Sequence, residues 1–373
     1  MAGVGFSSIG LLMAAATSVG NVFKDVAGKK VLDRHDMVAT TFWWRAVVAV
    51  VLTTAWVGYW VLVQAPTVRD SGPLFGIAAL HFSPIVTFLI YLLLDGLGVG
   101  IALSLYFRAL QISPISLCLP FLAFTPIFLI PTGYLLLGEL PPWAKLMGVV
   151  LVVAGSLLMH RELFAVSIFE PVKAIIREKG SRYMLITAFI FSITNPLDKM
   201  LVTMSDPLTQ SVGYSVVVLV FFAGFSLARR SKVGMVIKSQ PGWLILAGVL
   251  DAMALLLQFT SHNYIDVVIT ISVKRAGIVL SVLMGWLIFK ERNITNKMIA
   301  SSVMLAGVLI IYLPLSAGQT LAFVGLTFVG MCIALYMTGS KRISISDLPI
   351  ATEAHVDGDP GGPSKRQRLD VRG

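Results

Sequence analysis

Apolar residues run in long, nearly unbroken segments along this chain, separated by short polar connections. Each segment holds about 20 residues, enough for a helix to cross a hydrocarbon core of roughly 30 Å. Because lipid offers no partner for backbone N–H and C=O groups, such segments are expected to be α-helices. The predicted spans cover residues 6–24, 41–64, 84–107, 114–137, 143–160, 183–203, 210–228, 242–261, 266–289, 297–314 and 319–338. The pattern predicts an all-α integral membrane protein.

One sequence pattern occurs twice, 152 positions apart. The first copy is Tyr134-Leu-Leu-Leu-Gly-Glu139, Lys145 and Ala154-Gly155, and the second is Trp286-Leu-Ile-Phe-Lys-Glu291, Lys297 and Ala306-Gly307. A duplicated unit in a multi-span chain is typical of transporters, in which two halves rock around a central site. The repeat divides the spans into five, five and one. An odd number of spans per unit places the two units in opposite orientations.

Composition and charge agree with a bilayer location. The chain is 57% hydrophobic and 13% charged, with a net charge of +10. The cations lie in short connections, where membrane topology explains them, so no nucleic-acid partner is expected. The two cysteines fall inside apolar spans and the five histidines form no metal-spaced cluster. We therefore predict no metal and no cofactor.

Positive charges concentrate in alternate connections. They are dense after the first, fifth, seventh and ninth spans and sparse in the connections between these. By the positive-inside rule, the N-terminus lies outside and the C-terminus in the cytoplasm. We expect a multi-pass protein of a cell membrane, such as a bacterial inner membrane.

A series of short motifs resembles a known family. The series is Tyr106-Phe-Arg-Ala-Leu-Gln-Ile-Ser-Pro-Ile-Ser, Pro126, Gly138-Glu139, Gly148 and Ala154-Gly155. It resembles the EamA-type unit of the drug/metabolite transporter superfamily, and the second half is similar to the same unit. Asn21-Val-Phe-Lys24 and Arg45 also look like family positions in the first two helices. The resemblance covers residues 6–314 and implies a ten-helix transporter core of two inverted five-helix repeats. The predicted eleventh span and the predicted orientation depart from the commoner family arrangement.

These features predict five segments. Residues 1–160 form the first unit and residues 183–314 the second. Residues 161–182 connect them, either as an amphipathic surface helix or as a solvated hinge. Residues 315–340 contain the extra span, and residues 341–373 form a disordered polar tail.

Ionisable side chains inside spans are costly unless they are paired or face a cavity. Lys274 and Arg275 are adjacent cations in the ninth span. Asp251 in the eighth span lies at a depth that lets it meet Lys274 or share a cavity with it. One acid and two bases leave a surplus positive charge, which favours an anionic or zwitterionic substrate. Arg275 is also compatible with a structural contact to another helix.

Asp95 and Asp251 lie in equivalent helices of the two repeats when Leu94-Asp95 is aligned with Leu250-Asp251. A buried carboxylate can exchange protons during transport, but either acid is also suited to be the permanent partner of a cation. Proton coupling is therefore an open alternative.

An amide followed by an adjacent acid and base occurs in two spans, as Asn195-Pro-Leu-Asp198-Lys199 and as Asn21-Val-Phe-Lys24-Asp25. Pro196 would kink its helix, a usual device at transporter sites. Lys24 lies near a predicted helix end, where it could be merely interfacial.

Three further polar residues need an explanation. Arg45 follows Trp43-Trp44, either as a snorkelling cation in an aromatic belt or as part of a cavity wall. Tyr106, in the motif that carries the resemblance, joins the candidate binding residues. Glu139 marks a helix end, where it could cap the helix or pair with Lys145.

The leading hypothesis is a secondary transporter that moves a small polar metabolite by alternating access. The partners are then a small-molecule substrate, with possible proton coupling, and the lipid bilayer; the oligomeric state stays open. An integral membrane enzyme and a non-transporting membrane scaffold are the alternatives. No Gly-x-Ser-x-Gly or phosphate-binding loop occurs in the sequence, so the chain is not predicted to be an enzyme.

Overall fold

The apolar segments form α-helices in the computed structural model, which describes residues 2–63, 67–70, 75, 82–113, 118–158, 179–231, 233–275, 277–289, 294–313 and 315–338. The first half contains α1 (Ala2–Leu32), α2 (Met37–Leu62), α3 (Pro84–Ile112), a 3₁₀ helix (Leu119–Phe124), α4 (Thr125–Leu137) and α5 (Trp143–Leu158). The second half contains α6 (Lys179–Met204), α7 (Pro207–Arg229), α8 (Val233–Ser239), α9 (Pro241–Ser261), α10 (Val267–Arg275), α11 (Gly277–Phe289) and α12 (Ile294–Tyr312). The last helix is α13 (Ala317–Thr338).

Two predicted segments fall wholly or largely outside the described residues. These are the polar tail at 341–373 and all but the last four residues of the connection at 161–182. Residues 179–182 belong to α6.

Six helices in the described part of the chain are long and apolar enough to cross a membrane. They lie at Ser8–Leu32, Met37–Leu62, Pro84–Ile112, Lys179–Met204, Pro207–Arg229 and Pro241–Ser261. Shorter apolar helices lie at Thr125–Leu137, Trp143–Gly155, Ser302–Ile311 and Ala317–Gly330. The arrangement is that of a multi-span membrane protein. A count of exactly ten helices plus one stays a prediction.

The helices turn apolar side chains outwards and many polar side chains inwards. Leu94 is 46% exposed, whereas the adjacent Asp95 is fully buried. Thr187 and Gln210 are also completely buried. Lipid accepts apolar side chains at no cost, while polar groups need partners inside the protein. This distribution therefore suits a bilayer and leaves the polar groups to build an interior site.

The two halves pack on each other through matching helices. Helix α1 packs on α9 as α6 packs on α3. The Thr17 hydroxyl donates to Ala254 O at 3.3 Å, and the Thr187 hydroxyl donates to Ala102 O at 3.2 Å. Ala254 follows Ala102 by 152 positions, which is the spacing of the sequence repeat. The duplication is thus expressed as matching helix contacts.

Helices α5 and α12 meet through glycine. A side-chain carbon built on Gly148 would lie 2.6 Å from Gly307 O, and one built on Gly307 would lie 2.6 Å from Gly148 O. Any larger residue at either position would collide with the facing backbone. The absence of a side chain at both positions lets the two backbones touch, as in other tightly packed membrane helices.

The fourth predicted span is not a continuous α-helix. It consists of the 3₁₀ helix and α4, because proline lacks an N–H group and the α-helix restarts with Pro126 in its first turn. The ninth span contains α10 and α11, and residue 276 between them lies outside the described residues. The Ser18 hydroxyl of α1 donates to Lys274 O near the end of α10, at 2.9 Å. Interrupted helices in a membrane are tolerated where protein or a cavity satisfies the freed backbone.

Candidate functional site

A polar cavity of about 100 Å³ lies between helices of the two halves. Eight of the ten predicted site residues line it: Lys24, Arg45, Tyr106, Asn195, Asp198, Asp251, Lys274 and Arg275. Asp95 and Lys199 are not among the lining residues. The fold therefore brings most of the residues predicted from the sequence to one cavity, while their role in substrate binding stays a prediction.

Asp251 is the centre of a buried charge cluster. Lys24 Nζ lies 2.7 Å from Asp251 Oδ1, and the Arg45 guanidinium forms an ion pair with Oδ2. The Trp44 indole also donates to Oδ2, at 3.1 Å. Asp251 and Lys274 share the cavity, as their depths predicted, but they do not form an ion pair, because two other cations occupy both oxygens of Asp251.

The cluster corrects two further expectations. Helix α1 continues to Leu32, so Lys24 lies within the helix and faces the cavity rather than an interface. Arg45 is only 2% exposed, which excludes the snorkelling position in an aromatic belt. The alternative, in which Arg45 belongs to the cavity wall, is correct.

Lys274 is held by an amide instead of a carboxylate. Its ammonium donates to Gln258 Oε1, and Gln258 Nε2 donates to Asn195 Oδ1 at 3.3 Å. Among the described residues, no carboxylate lies within 4.0 Å of Lys274 Nζ, the distance that defines an ion pair. The cation consequently faces the cavity without a neutralising partner in direct contact.

Arg275 both lines the cavity and reaches a neighbouring helix. Its Nη2 donates to the Thr125 hydroxyl at 3.1 Å, and its guanidinium lies 5.9 Å from the centre of the Phe191 ring. Arg275 Nε is buried and has no acceptor among the described residues. The expected contact of Arg275 with another helix is present, while its role in substrate binding stays a prediction.

Asp25 was missed as a cavity residue. The Tyr106 hydroxyl lies beside its carboxylate, while Asp25 Oδ1 is buried without a donor among the described residues. Asn21, also in the cavity wall, has an unpartnered Nδ2. Both residues belong to the amide–base–acid motif of α1, and that motif was the available signal.

Gln258 was missed as well. It lies seven positions after Asp251 in α9, two helical turns along the same face. That spacing was the signal that could have found it.

Asp95 lies beside the cavity and contacts Asp198. The two carboxyls lie together and interact. Gln210 Nε2 donates to Asp198 Oδ1 at 3.4 Å. Asp95 therefore meets an acid from the other half, and the repeat relation to Asp251 does not describe its contacts.

Lys199 forms an ion pair with Glu139 near one end of the cavity helices. Lys199 also donates to Ile265 O at 3.2 Å, and Glu139 Oε2 accepts from Val267 N at 3.1 Å. Pairing of Glu139 with Lys145 is wrong, because Lys199 occupies that position. The ion pair ties α4, α6 and the start of α10 together, and we refer to it as the end clamp.

Breaking the end clamp is expected to expose the cavity. An ion pair with supporting backbone contacts contributes about 1–2 kcal/mol, so its loss shifts an open–closed equilibrium by roughly tenfold. Glu139→Gln should therefore speed the reaction of a cavity cysteine, Leu255→Cys, with a membrane-impermeant thiol reagent by about tenfold. The measurement uses a background without Cys118 and Cys332, and the reagent is added on the side where Glu139 lies.

Lys145→Gln is the matched control, since it removes a cation from the start of α5 and leaves the end clamp intact. Its labelling rate should equal that of the unsubstituted background. Equal rates in Glu139→Gln and Lys145→Gln would show that the end clamp does not control access.

Comparisons with known proteins agree with this architecture. A family model described as the EamA-like transporter family matches residues 8–161 and 178–313. The chain belongs to this family. The resemblance inferred from the motifs is thereby confirmed, and the two matched segments fit the two-repeat architecture. EamA proteins are membrane transporters rather than enzymes.

The fold also occurs among solved structures. One crystal structure matches with a TM-score of 0.60 at 16% identity, covering 82% of this chain and 97% of its own. At this identity the match shows the fold alone. No curated protein matches the sequence significantly.

Proposed function

We propose that this EamA protein is a secondary transporter that moves a small anionic or zwitterionic metabolite by alternating access. The observation that carries the proposal is the position of Lys274, which faces the shared cavity with an amide as its contact. A cation buried without a carboxylate in contact is costly in a membrane protein. The negative group of a substrate would supply the missing interaction.

Unsatisfied hydrogen-bonding atoms around the cavity support the same substrate class. Asn21 Nδ2, Arg45 Nε and Arg275 Nε are buried donors without an acceptor among the described residues. A carboxylate or phosphate offers several acceptors at once. Asp25 Oδ1 is an acceptor without a donor, which would suit the ammonium group of a zwitterion.

The size of the cavity favours a small metabolite. Its volume of about 100 Å³ is below the roughly 300–1,000 Å³ of pockets that hold drug-sized ligands. Charged groups inside so small a space leave little room for a large apolar substrate.

Alternating access is supported by the matching contacts of the two halves. Helices from both halves line the cavity, and the end clamp joins them on one side. Two inverted units around a central site would open to either side by moving against each other. The charge distribution supports an outside N-terminus in a cell membrane.

Flux into proteoliposomes tests the proposed function. Purified protein should give saturable uptake of at least one compound from a panel of amino acids, organic acids and sugar phosphates. Polyamines, quaternary amines and neutral sugars form the comparison panel. Uptake restricted to the comparison panel would contradict the assigned substrate class, and vesicles without protein set the background.

A further inference from the structure

Two aspartates from opposite halves form a buried carboxyl pair at the edge of the cavity. Asp95 of α3 is fully buried, and Asp198 of α6 is 4% exposed. A side-chain carbon built on Gly98, one turn after Asp95, would lie 2.9 Å from Thr194 Cγ2, one turn before Asp198. The close packing of α3 on α6 at this point brings the two carboxyls together, and they interact. No N–H or O–H group of the described residues donates to either oxygen of Asp95.

The side-chain amide oxygen of Gln210, next to the carboxyl pair, also lacks a hydrogen-bond donor in the described part of the chain. Gln210 is fully buried and directs its Nε2 at Asp198 Oδ1, 3.4 Å away. Its own Oε1 has no donor among the described residues. Acceptors therefore outnumber donors around the carboxyl pair. Two ionised carboxylates this close repel each other strongly, because no water screens their charges in the protein interior. One shared proton provides an O–H donor and removes this repulsion.

We propose that Asp95 and Asp198 hold one exchangeable proton between them and that this proton drives substrate transport. The coupling part of the inference rests on the proposed function. When the pair binds the proton from water on one side, it carries a single negative charge. When it releases the proton to water on the other side, both carboxylates are ionised.

Lys274 connects the pair to the substrate. Asp198 and Lys274 both line the cavity and interact electrostatically. With the pair ionised, Asp198 attracts the Lys274 ammonium and competes with a substrate anion. With the proton bound, this competition weakens. Proton and anion therefore favour each other's binding, and reciprocal coupling of this kind gives symport.

Other charged groups surround the pair without replacing it. Those facing it across the cavity, or acting on it, are Asp25 of α1, Arg45 of α2, Tyr214 of α7, Asp251 of α9 and Lys274 of α10. Lys199, the next residue in α6, is held in the end clamp. Asp251 already has two cationic partners. One buried oxygen of Asp25 and both oxygens of Asp95 lack a donor among the described residues, so Asp95 has the larger deficit.

His262 is not the proton carrier. It follows the last residue of α9, and burial together with the nearby Lys199 and Lys274 lowers the pKa of His262 to about 3. The imidazole therefore stays neutral near physiological pH. A histidine with this pKa cannot bind and release a proton in that range.

Infrared spectroscopy tests the proton site without a substrate. Difference spectra of the full-length protein in lipid vesicles, recorded between acidic and alkaline pH, should contain the carbonyl stretch of one buried protonated carboxyl. Asp95→Asn and Asp198→Asn should each remove this band. Asp206→Asn is the matched control, because asparagine keeps the helix cap that Asp206 provides to α7. A band unchanged in a folded Asp95→Asn protein, or replaced by binding of Na⁺ at constant pH, would overturn the proposal.

A flux ratio tests the coupling. The substrate is an anion from the panel above, and the pH gradient is acidic on the side where the anion is added. The gradient should raise substrate accumulation by the wild-type protein about tenfold. In Asp95→Asn, the ratio of accumulation with the gradient to accumulation without it should fall to about one. Wild-type flux that depends on Lys274 but ignores the gradient would refute coupling and leave the proposed function standing. Absence of any flux would count against the proposed function, and the infrared band alone would then decide the proton site.

Discussion

Replacing Lys274 with methionine is expected to lower the transport of an anionic substrate by about 100-fold, the effect of losing about 2.7 kcal/mol of interaction with a desolvated charge. Methionine keeps the length of the side chain and removes the ammonium that faces the cavity. The fold should survive, because the substitution leaves only the Gln258 carbonyl without its donor, a loss of about 1 kcal/mol. Initial rates in proteoliposomes measure the effect, and size-exclusion chromatography checks the fold.

Two comparison variants sharpen this test. Lys274→Arg keeps the charge and should recover part of the flux. Lys238→Met removes an exposed cation of α8 and should match the wild type. Full flux in Lys274→Met would remove Lys274 from the substrate site and with it the main support for an anionic substrate.

Replacing Asp251 with leucine is expected to be the most damaging single change to stability. Arg45 would keep a buried guanidinium and Lys24 an ammonium, both without the carboxylate that now holds them. Removal of one partner from a buried ion pair costs about 3–5 kcal/mol. That loss corresponds to a fall in Tm of about 10 °C, read from thermal unfolding of the purified protein in detergent.

The double variant Arg45→Met/Asp251→Leu separates loss of an anion from loss of packing. Removing both charges avoids leaving Arg45 uncompensated, so Tm should recover by several degrees relative to Asp251→Leu alone. If the double variant is no more stable than the single one, the ion pair is not what stabilises this part of the interior.

The helices and their membrane character could be predicted because they depend on local sequence. A run of about 20 apolar residues has few ways to satisfy its backbone in lipid other than as a helix. The interruption of the fourth predicted span was harder to predict. Whether Pro126 bends a helix or restarts one depends on neighbouring groups that satisfy the freed backbone.

The candidate residues could be found from the sequence because a charged side chain inside a membrane span is energetically costly. Their partners could not be found in this way. Burial in a span marks Asp251, Lys274 and Asp198 as expensive whatever surrounds them. Depth along a helix can be counted from sequence, and it suggested a meeting of Asp251 with Lys274. The rotation of each helix about its axis is set by distant contacts, and Lys24 reaches Asp251 across 227 positions of sequence.

The repeat identified equivalent helices and left their contacts open. It placed Asp95 and Asp251 in equivalent helices of the two units, without indicating which residue each acid faces. Asp95 lies beside Asp198, a residue of another helix. Duplication therefore identifies which helices correspond, while contacts across the interface have to be found from the structure.

The backbone contact between Gly148 and Gly307 has a mechanical consequence. No side chain separates α5 from α12 there, so these two helices are expected to move as one rigid body. When the rest of the protein rotates about this helix pair, the displacement of a helix grows with its distance from the pair. Helices α2 and α7 form the other matching pair of the two units, and they should sweep the largest distances as the protein changes sides.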